Sequence, residues 1–382
     1  MNRKLLWTLT GITVLSVGNI YYSQPLLGEI AKSFQRSEVE VGIAPTLTQM
    51  GYVAGLFFVV PLGDVLERRR LLTVLLLLAG FALLGCAIAP NLEFFLGLAI
   101  AVGITAALVQ IIIPFVASLS QPAMRSRNLG VLLSGALIGV LISRTVSGLL
   151  GGQFGWRAVY YSGSFLMFAS ALSLRILLPR QEPQMKIHYA RLLGSLWKLF
   201  RDLPQLRAIA VSGALVYAAL SAFWASLAFY LHSDVYDLGP RVAGAFGLVG
   251  ALGAVAASLV GRTADRIGPR KIVRRSVWVM LLSFLTMALF GSNIYGLVIG
   301  VILLDLGAQA VTVSNQTQLY GLHGEAQTRL NTIYKMMYFA GGAVGSAFSA
   351  ISYQAWGWSG VCAAGSSCLI AALVWERKSL SA

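Results

Sequence analysis

Residues 261–271 read Gly-Arg-Thr-Ala-Asp-Arg-Ile-Gly-Pro-Arg-Lys, and residues 63–70 read Gly-Asp-Val-Leu-Glu-Arg-Arg-Arg. The second stretch echoes the first, because Asp64 and Asp265 lie 201 residues apart and basic residues follow each of them. Two further pairs repeat at an offset of 202: the dipeptide at 126–127 with that at 328–329, and the Gly-Trp pair at 155–156 with that at 357–358. Repetition of widely spaced features at nearly one offset predicts two copies of one structural unit.

Small residues form a second repeat at every fourth position. They are Gly135, Gly139, Ser143, Ser147 and Gly151 in one stretch, and Gly341, Gly345 and Ser349 in a stretch 202 residues after the middle three. Small side chains let membrane helices approach closely, since lipid supplies no hydrophobic drive for their association. Small residues are common in membrane helices, which explains one such ladder. Two ladders in register with the other anchors favour a duplicated chain.

The composition is that of an integral membrane protein. Of 382 residues 57% are hydrophobic and only 11% are charged, and the mean hydropathy is +0.75. Soluble domains carry about a quarter charged residues, so 29 basic and 14 acidic residues cannot solvate a chain of this length. The net charge of +15 sits in short segments between apolar runs. That placement indicates a face against anionic lipid rather than a nucleic-acid partner.

A helix needs about 20 mainly apolar residues to cross a bilayer, and the chain offers twelve such windows. They are 6–28, 41–62, 71–89, 93–119, 130–152, 156–178, 207–231, 242–261, 276–291, 294–318, 332–354 and 357–375. We predict an all-α membrane protein with a six-helix half over 1–178, a linker over 179–206 and a second six-helix half over 207–382. The first window could instead be a signal peptide, but eleven further spans make a retained helix simpler.

Basic residues predict the orientation. With both termini inside, the inner segments hold 24 Lys and Arg, whereas the outer segments hold only Lys32, Arg36, Arg157 and Arg241. Because short-loop Lys and Arg set topology, we predict a multi-pass membrane protein with both termini in the cytoplasm. The composition of the linker predicts a basic amphipathic helix on the inner leaflet; a regulatory or binding role is the alternative.

The chain resembles the major facilitator superfamily over essentially its whole length. The loop signature of that family is Gly-x-x-x-Asp-Arg-x-Gly-x-Arg-Lys, and residues 261–271 match it fully. The first copy departs from it, with Val60 and Glu67 at the two glycine positions and Val65 at the arginine position, so we expect its loop to have a different shape. The resemblance implies two six-helix halves and a cytoplasmic gate that does not touch substrate. The gate residues would be Asp64, Arg68, Arg69, Gly261, Asp265, Arg266, Gly268, Arg270 and Lys271.

Two departures concern the drug–proton antiporter branches of that family. Those branches carry an arginine four residues before a glycine in the fourth span, where this chain has Ala99 and Gly103, and a Gly-Pro pair late in the fifth, where it has Ser143-Arg144. The standard proton relay of those branches is therefore not expected here. The segments 19–25 and 314–316 are similar to a bacterial group of drug and metabolite efflux carriers.

Two ionisable residues lie well inside predicted spans. Arg144 is about 21 Å past the inner end of the fifth span and Asp305 about 16 Å past the outer end of the tenth, at about 1.5 Å per residue. Charges at such depth usually pair or serve transport. We hypothesise that the two pair across, or share, a central cavity, and that Asp305 takes up a proton from outside when unpaired. A permanent ion pair, or an arginine capped by carbonyl groups, is the structural alternative.

Polar stripes on otherwise apolar spans predict the cavity lining. Asp305, Gln309, Thr312 and Gln316 fall on one face of the tenth span, and a polar stripe in lipid must face protein or water. The predicted cavity residues are Asn19, Tyr22, Gln24, Gln110, Tyr217, Ser221, Trp224, Gln309, Thr312, Asn315, Gln316, Tyr334 and Tyr338. The alternative for any one of them is an interhelical hydrogen bond. Amide and aromatic groups suit an amphipathic or weakly polar solute.

These features predict a secondary active transporter that exports a small organic solute against proton entry, by rocking of the two halves. An importer or facilitator of a polar or anionic metabolite held by Arg144 is the alternative. A membrane enzyme or receptor would need a clustered catalytic constellation or a soluble domain. We expect no enzyme activity, cofactor or metal, since the chain has no phosphate-binding GxxxxGK[ST] loop, no CxxC and only scattered histidines. The expected partners are the solute, protons and the lipid bilayer around a monomer.

Overall fold

The structure is a computed structural model that describes residues 3–178, 189–322 and 327–381. Within these ranges the side chains of residues 190–191, 254–267, 328 and 379–381 are not described. The described residues form helices joined by short turns, and they contain no strand. The all-α fold class is therefore confirmed.

Within the described residues, twelve helical segments form two sets of six, as predicted. In the first half they are Arg3–Phe34, Glu38–Val65, Arg68–Ala87, Leu92–Leu119, Arg125–Phe154 and Trp156–Leu177. In the second half they are Pro204–His232, Pro240–Ile267, Pro269–Phe290, Ile294–Tyr320 and the run Gln327–Ser381, which holds the last two. Among the described residues, nine helical stretches are long and apolar enough to cross a membrane, and the last of them comprises two spans.

The repeated Gly-Trp pairs mark equivalent turns. Gly155 has φ 82° between the fifth and sixth spans, and Gly357 has φ 57° between the eleventh and twelfth. Glycine tolerates positive φ without the steric penalty that a Cβ imposes. Gly268 of the signature loop likewise has φ 89°, whereas Glu67 at the equivalent position in the first copy has φ −60°. The expectation that the first loop has a different shape is confirmed.

The small-residue ladders pack each half in the same way. A Cβ added at Gly139 of the fifth span would lie 2.5 Å from the carbonyl oxygen of Val14 in the first span. A Cβ added at Gly345 of the eleventh span would overlap the carbonyl oxygen of Ala218 in the seventh. Neither site has room for a side chain, so each ladder brings two backbones into direct contact.

Successive spans alternate in direction, which gives the bundle two ends. We call the basic end the one where the first, third and fifth spans begin, at Arg3, Arg68 and Arg125. The linker helix, Tyr189–Asp202, also lies there. Leu196 of this helix packs against apolar residues of the second half. The Tyr189 hydroxyl donates a 2.6 Å hydrogen bond to the carbonyl of Phe58 in the second span. Residues 179–188 of the predicted linker lie outside the described part of the chain.

The two halves meet closely at the opposite end. The Thr145 hydroxyl in the fifth span donates to the carbonyl of Gly244 in the eighth at 2.9 Å. A Cβ at Gly148 would overlap the carbonyl oxygen of Pro240. The second and eleventh spans pack beside them, with Gly42 against Ala350. The opposite end is therefore closed in this conformation.

Candidate functional site

Arg144 lies on the fifth span where the two halves meet. Its Nε donates a 2.7 Å hydrogen bond to Oε1 of Gln24, and its Nη1 donates to the carbonyl of Val140 at 3.3 Å. The guanidinium carbon lies 4.6 Å from the ring centre of Tyr21 and 4.1 Å from that of Trp224. Arg144 is buried, so an amide and two aromatic rings replace water around its charge.

The first span supplies two of these partners because it is not a continuous α-helix. It changes to 3-10 turns at Asn19–Tyr21 and Gln24–Leu26, with Pro25 inside the second turn. Proline removes one backbone donor and breaks the regular helical ladder. The break turns both Tyr21 and Gln24 toward Arg144.

Asp305 lies on the tenth span and is buried. Its Oδ2 has no hydrogen-bond partner within the described part of the chain. A Cβ at Gly250 of the eighth span would lie 2.8 Å from this oxygen and 3.1 Å from Trp224. Leaving a buried carboxylate oxygen without a partner is costly, which makes Asp305 a candidate site for a proton or a ligand.

Arg144 and Asp305 share this region without forming an ion pair with each other. The three ion pairs between described residues are Arg36–Glu40, Arg36–Glu93 and Arg68–Asp64. Both residues instead approach one glycine-lined face of the eighth span. A Cβ added at Gly247 would lie 3.1 Å from the Arg144 Cβ, and one added at Gly250 would lie 2.8 Å from the Asp305 Oδ2. Trp224 contacts the arginine and adjoins the carboxylate. A cavity of about 10 Å³ adjoins Gln24, Arg144 and Trp224, room for a single water molecule.

Aromatic side chains connect the two halves beside Arg144. The hydroxyls of Tyr21 and Tyr217 lie 3.2 Å apart, and the rings of Tyr217 and Tyr338 stack at 3.9 Å with an angle of 18°. Tyr52 of the second span lies 4.3 Å from Phe339 of the eleventh, ring centre to ring centre. The first, second, seventh and eleventh spans thus contribute to one aromatic layer.

Amide groups make further polar contacts in this layer. Gln110 donates to the Tyr52 hydroxyl at 3.2 Å. Gln49 of the second span donates to the Ser221 hydroxyl of the seventh at 2.9 Å, and its own carbonyl oxygen is buried without a partner among the described residues. Gln49 is absent from the predicted cavity residues. An amide inside an apolar span was the signal that could have identified it.

The other predicted cavity residues occupy different positions. Tyr22 packs against Gly163, and its carbonyl accepts a hydrogen bond from the Ser147 hydroxyl. Both partners belong to the first half, so Tyr22 lies within that half and not at the interface between the halves. Tyr334 packs against Gly213 inside the second half. The remaining ones are Asn19 and Asn315, which are buried, and Gln309, Thr312 and Gln316, which are half-buried along the tenth span. The Thr312 hydroxyl donates to the carbonyl of Ala308 within its own helix.

Lys335 is a third charge in this region that the sequence did not indicate. Its position three residues after the start of the eleventh predicted window suggested a place at the end of the span. The helix begins earlier, at Gln327, so Lys335 lies further inside it. Its ammonium nitrogen lies 5.1 Å from the ring centre of Tyr338 and 5.9 Å from that of Tyr334. Lys335 is half-buried, and none of the described acidic residues forms an ion pair with it.

The first copy of the gate motif forms a compact hydrogen-bonded turn. Buried Arg68 donates through Nε to the carbonyl of Gly63 at 2.9 Å and through Nη2 to Oδ1 of Asp64 at 3.4 Å. Arg69 donates to the carbonyl of Arg175 in the sixth span. In the second copy Arg270 and Lys271 are exposed. The predicted gate residues Gly261, Asp265 and Arg266 fall in the segment whose side chains are not described.

No group of three or more His, Cys, Asp or Glu side chains within the described residues could hold a metal ion. Of the three histidines, His232 is half-buried near Gly28, and His188 and His323 lie outside the described residues. The three cysteines are free thiols within or beside apolar packing.

Comparison of the sequence with known families and proteins gives a consistent result. The family described as Major Facilitator Superfamily matches residues 9–291 and 254–379. The "Uncharacterized transporter YgaY" of Escherichia coli O157:H7 is 39% identical over 99% of this chain and 96% of its own length. The "Probable transporter SCO4007" of Streptomyces coelicolor is 34% identical over 94% of this chain and 83% of its own length.

Solved structures with the same fold cover nearly the whole chain. A bacterial homolog of the human lysosomal transporter Spinster, in an inward-facing and occupied conformation, superposes with a TM-score of 0.77 at 14% identity, covering 99% of this chain and 95% of the other. The nucleoside transporter NupG superposes with a TM-score of 0.73 at 14% identity, covering 99% of each chain. At such identities the likeness concerns the fold alone.

Proposed function

This chain belongs to the major facilitator superfamily, and on that premise we propose that it exports a small organic solute in exchange for protons. Transport across a membrane is the function of the family, whereas the small organic solute, the proton coupling and the outward direction are our proposal. The observation that carries it is the buried carboxylate of Asp305 beside Arg144 and Trp224 at the interface of the halves, because its Oδ2 has no hydrogen-bond partner among the described residues.

Asp305 would couple the two fluxes by competition. A carboxylate without a counter-ion is costly inside a membrane, so it gains either a proton or a solute group that satisfies its oxygens. Occupation by one then weakens occupation by the other, and this linkage is reciprocal. Arg144, held by Gln24 rather than by Asp305, keeps its charge close without neutralising the carboxylate directly.

The closed opposite end supports alternating access. Glycines at 148 and 244 let the fifth and eighth spans touch there, and the same contact can open when the halves rock about the aromatic layer. The distribution of basic residues supports an orientation with the basic end and both termini in the cytoplasm. The bacterial relatives support location in a bacterial inner membrane. In that orientation the described conformation is closed to the outside. We further propose that the carrier acts as a monomer.

The proposal is tested first by drug and metabolite sensitivity and then by proton movement. A deletion strain is expected to become hypersensitive to one class of organic compounds and an overexpressing strain to become resistant to it. In inverted vesicles with an acidified lumen, adding a compound of that class should release protons from the lumen. Protection without proton release would rule out the antiport mechanism.

A second candidate function rests on the charge balance. Among the described residues, Lys335 and Arg144 bring two cations to a region where Asp305 is the one carboxylate, which favours an anionic solute. Protonation of Asp305 would then leave an excess of positive charge and strengthen anion binding, so proton and anion would move together. In the inverted-vesicle experiment, addition of the solute would then lower the pH of the lumen or leave that pH unchanged, instead of releasing protons from the lumen.

Replacement of Lys335 by glutamine distinguishes these two functions. If the solute is an anion, Lys335→Gln is expected to raise the solute KM by about tenfold, because a charge-assisted contact contributes about 1.5 kcal/mol or more. If the solute is neutral or cationic, the KM should change by less than about twofold. Lys335→Arg keeps the charge and is the control, and a loss of transport in both variants would indicate a structural role instead.

A further inference from the structure

Each half carries a basic cleft between its third and sixth spans at the basic end. The cleft in the first half has a volume of about 320 Å³ and is lined by Arg69, Arg70 and Arg175, among others. The cleft in the second half has a volume of about 350 Å³ and is formed by the ninth and twelfth spans. Neither cleft includes the residues around Asp305.

The two clefts are equivalent under the internal repeat. An offset of 201 takes Arg69 to Arg270 and Arg70 to Lys271, and an offset of 202 takes Arg175 to Arg377. The same offset of 201 takes Thr73 to Arg274 and Leu77 to Trp278, and all ten residues line the two clefts. Three cationic positions are thus retained in both copies although most of the surrounding residues differ.

The second cleft is the more positive one. Arg270, Lys271, Arg274 and Arg377 face a single carboxylate, Glu376, which lies within electrostatic reach of Arg270 and Arg274. In the first cleft three arginines accompany Glu67, and one of them, Arg69, is already bonded to the carbonyl of Arg175. The second cleft therefore has the greater capacity for an anion.

The side chains of the second cleft are layered along the membrane normal. On the ninth span Arg270, Arg274, Trp278 and Leu282 follow one another at intervals of four residues, about 6 Å each. Trp278 is 57% exposed and Leu282 is 52% exposed. On the antiparallel twelfth span Arg377 at the end is followed inward by Leu373 and by exposed Ile370. Cations, then an aromatic ring, then aliphatic side chains match the order of phosphate, interface and acyl chain in a phospholipid.

We propose that these clefts bind the headgroups of anionic phospholipids, and that the second-half cleft binds the more tightly. The phosphate would lie among Arg270, Arg274 and Arg377, since guanidinium groups bind phosphate oxygens through paired hydrogen bonds. The acyl chains would follow Trp278 and Leu282. Basic pockets between spans on the cytoplasmic side are suited to such headgroups.

The experiment is a lipid titration of the purified full-length protein followed by native mass spectrometry. Phosphatidylglycerol is expected to bind to two sites, the tighter one at least about tenfold more tightly than phosphatidylcholine, which carries the same phosphate with a compensating charge. The double variant Arg274→Gln/Arg377→Gln should raise the Kd of the tighter site about tenfold or more. Arg70→Gln/Arg175→Gln should affect only the weaker site.

The matched control is Arg125→Gln/Arg201→Gln, which removes two exposed cations of the same end that line neither cleft. Equal binding of the two lipids, or an equal loss in this control, would overturn the proposal. Full displacement of the lipid by millimolar glycerol phosphate would also overturn it, since the site would then recognise a free phosphate ester. If the glutamine variants unfold, Arg274→Lys/Arg377→Lys must retain the preference for phosphatidylglycerol; loss of that preference in a folded protein would contradict the proposal.

Discussion

Asp305→Asn is expected to lower proton-coupled transport about a hundredfold or more, since removal of a positioned proton-transfer group typically costs at least about that factor. Asparagine retains the shape of the side chain and a carbonyl oxygen but cannot exchange a proton. The contacts of this side chain with Trp224 and the eighth span would therefore be kept. Solute should still exchange across the membrane without a proton gradient, since the path itself is intact.

The measurement compares proton-driven uptake and solute counterflow in inverted vesicles. Asp234→Asn, an exposed aspartate in the turn after the seventh span, is the matched control and should behave as the wild type. Arg144→Gln is expected to impair both activities, because it removes the donor to Gln24 and the cation beside Tyr21 and Trp224. Wild-type proton-coupled flux in both Asp305→Asn and Arg144→Gln would show that neither residue couples transport.

Gly148→Val is expected to hold the opposite end open. Any Cβ at this position would overlap the Pro240 carbonyl oxygen, and overpacking of this kind costs about 1–3 kcal/mol. The equilibrium between the two conformations should shift about fivefold or more toward the open form. Because the clash exists only while the fifth and eighth spans touch, the open conformation is unaffected.

Thiol labelling measures this shift. In a variant without native cysteines, Ala243→Cys provides a buried thiol beside Arg144, and a membrane-impermeant maleimide reports its exposure. Gly148→Val should raise the labelling rate about fivefold or more, whereas Gly130→Val should not, because nothing lies within 4 Å of a Cβ there. An equal rise in both variants would show general loosening of the helix instead of an open end.

Sequence patterns predicted the features that depend on one helix and its surroundings. Runs of about 20 apolar residues indicated the twelve spans, since a span must satisfy its own backbone in lipid. The repeats at 201 and 202 predicted the two equivalent halves, and the Gly155 and Gly357 turns agree with them. The difference in backbone conformation between Gly268 and Glu67 also followed from residue type, because positive φ favours glycine.

Contacts between helices were beyond those patterns. Position in the sequence made Arg144 and Asp305 candidates for a pair, but Gln24, Tyr21 and Trp224 surround the arginine instead. Gln49 and Lys335 entered the central region through the packing of the second and eleventh spans.

The amino-acid order alone therefore establishes a duplicated membrane bundle with a basic end, because hydropathy, charge and small-residue spacing are properties of each segment. The partners of Arg144, the closure at Gly148 and Gly244, and the twin basic clefts arise only when the segments are assembled. The physical reason is that the helical period determines the face of the helix on which a residue lies. Its contact partner depends on the distance between two helices and on their relative position along the axis.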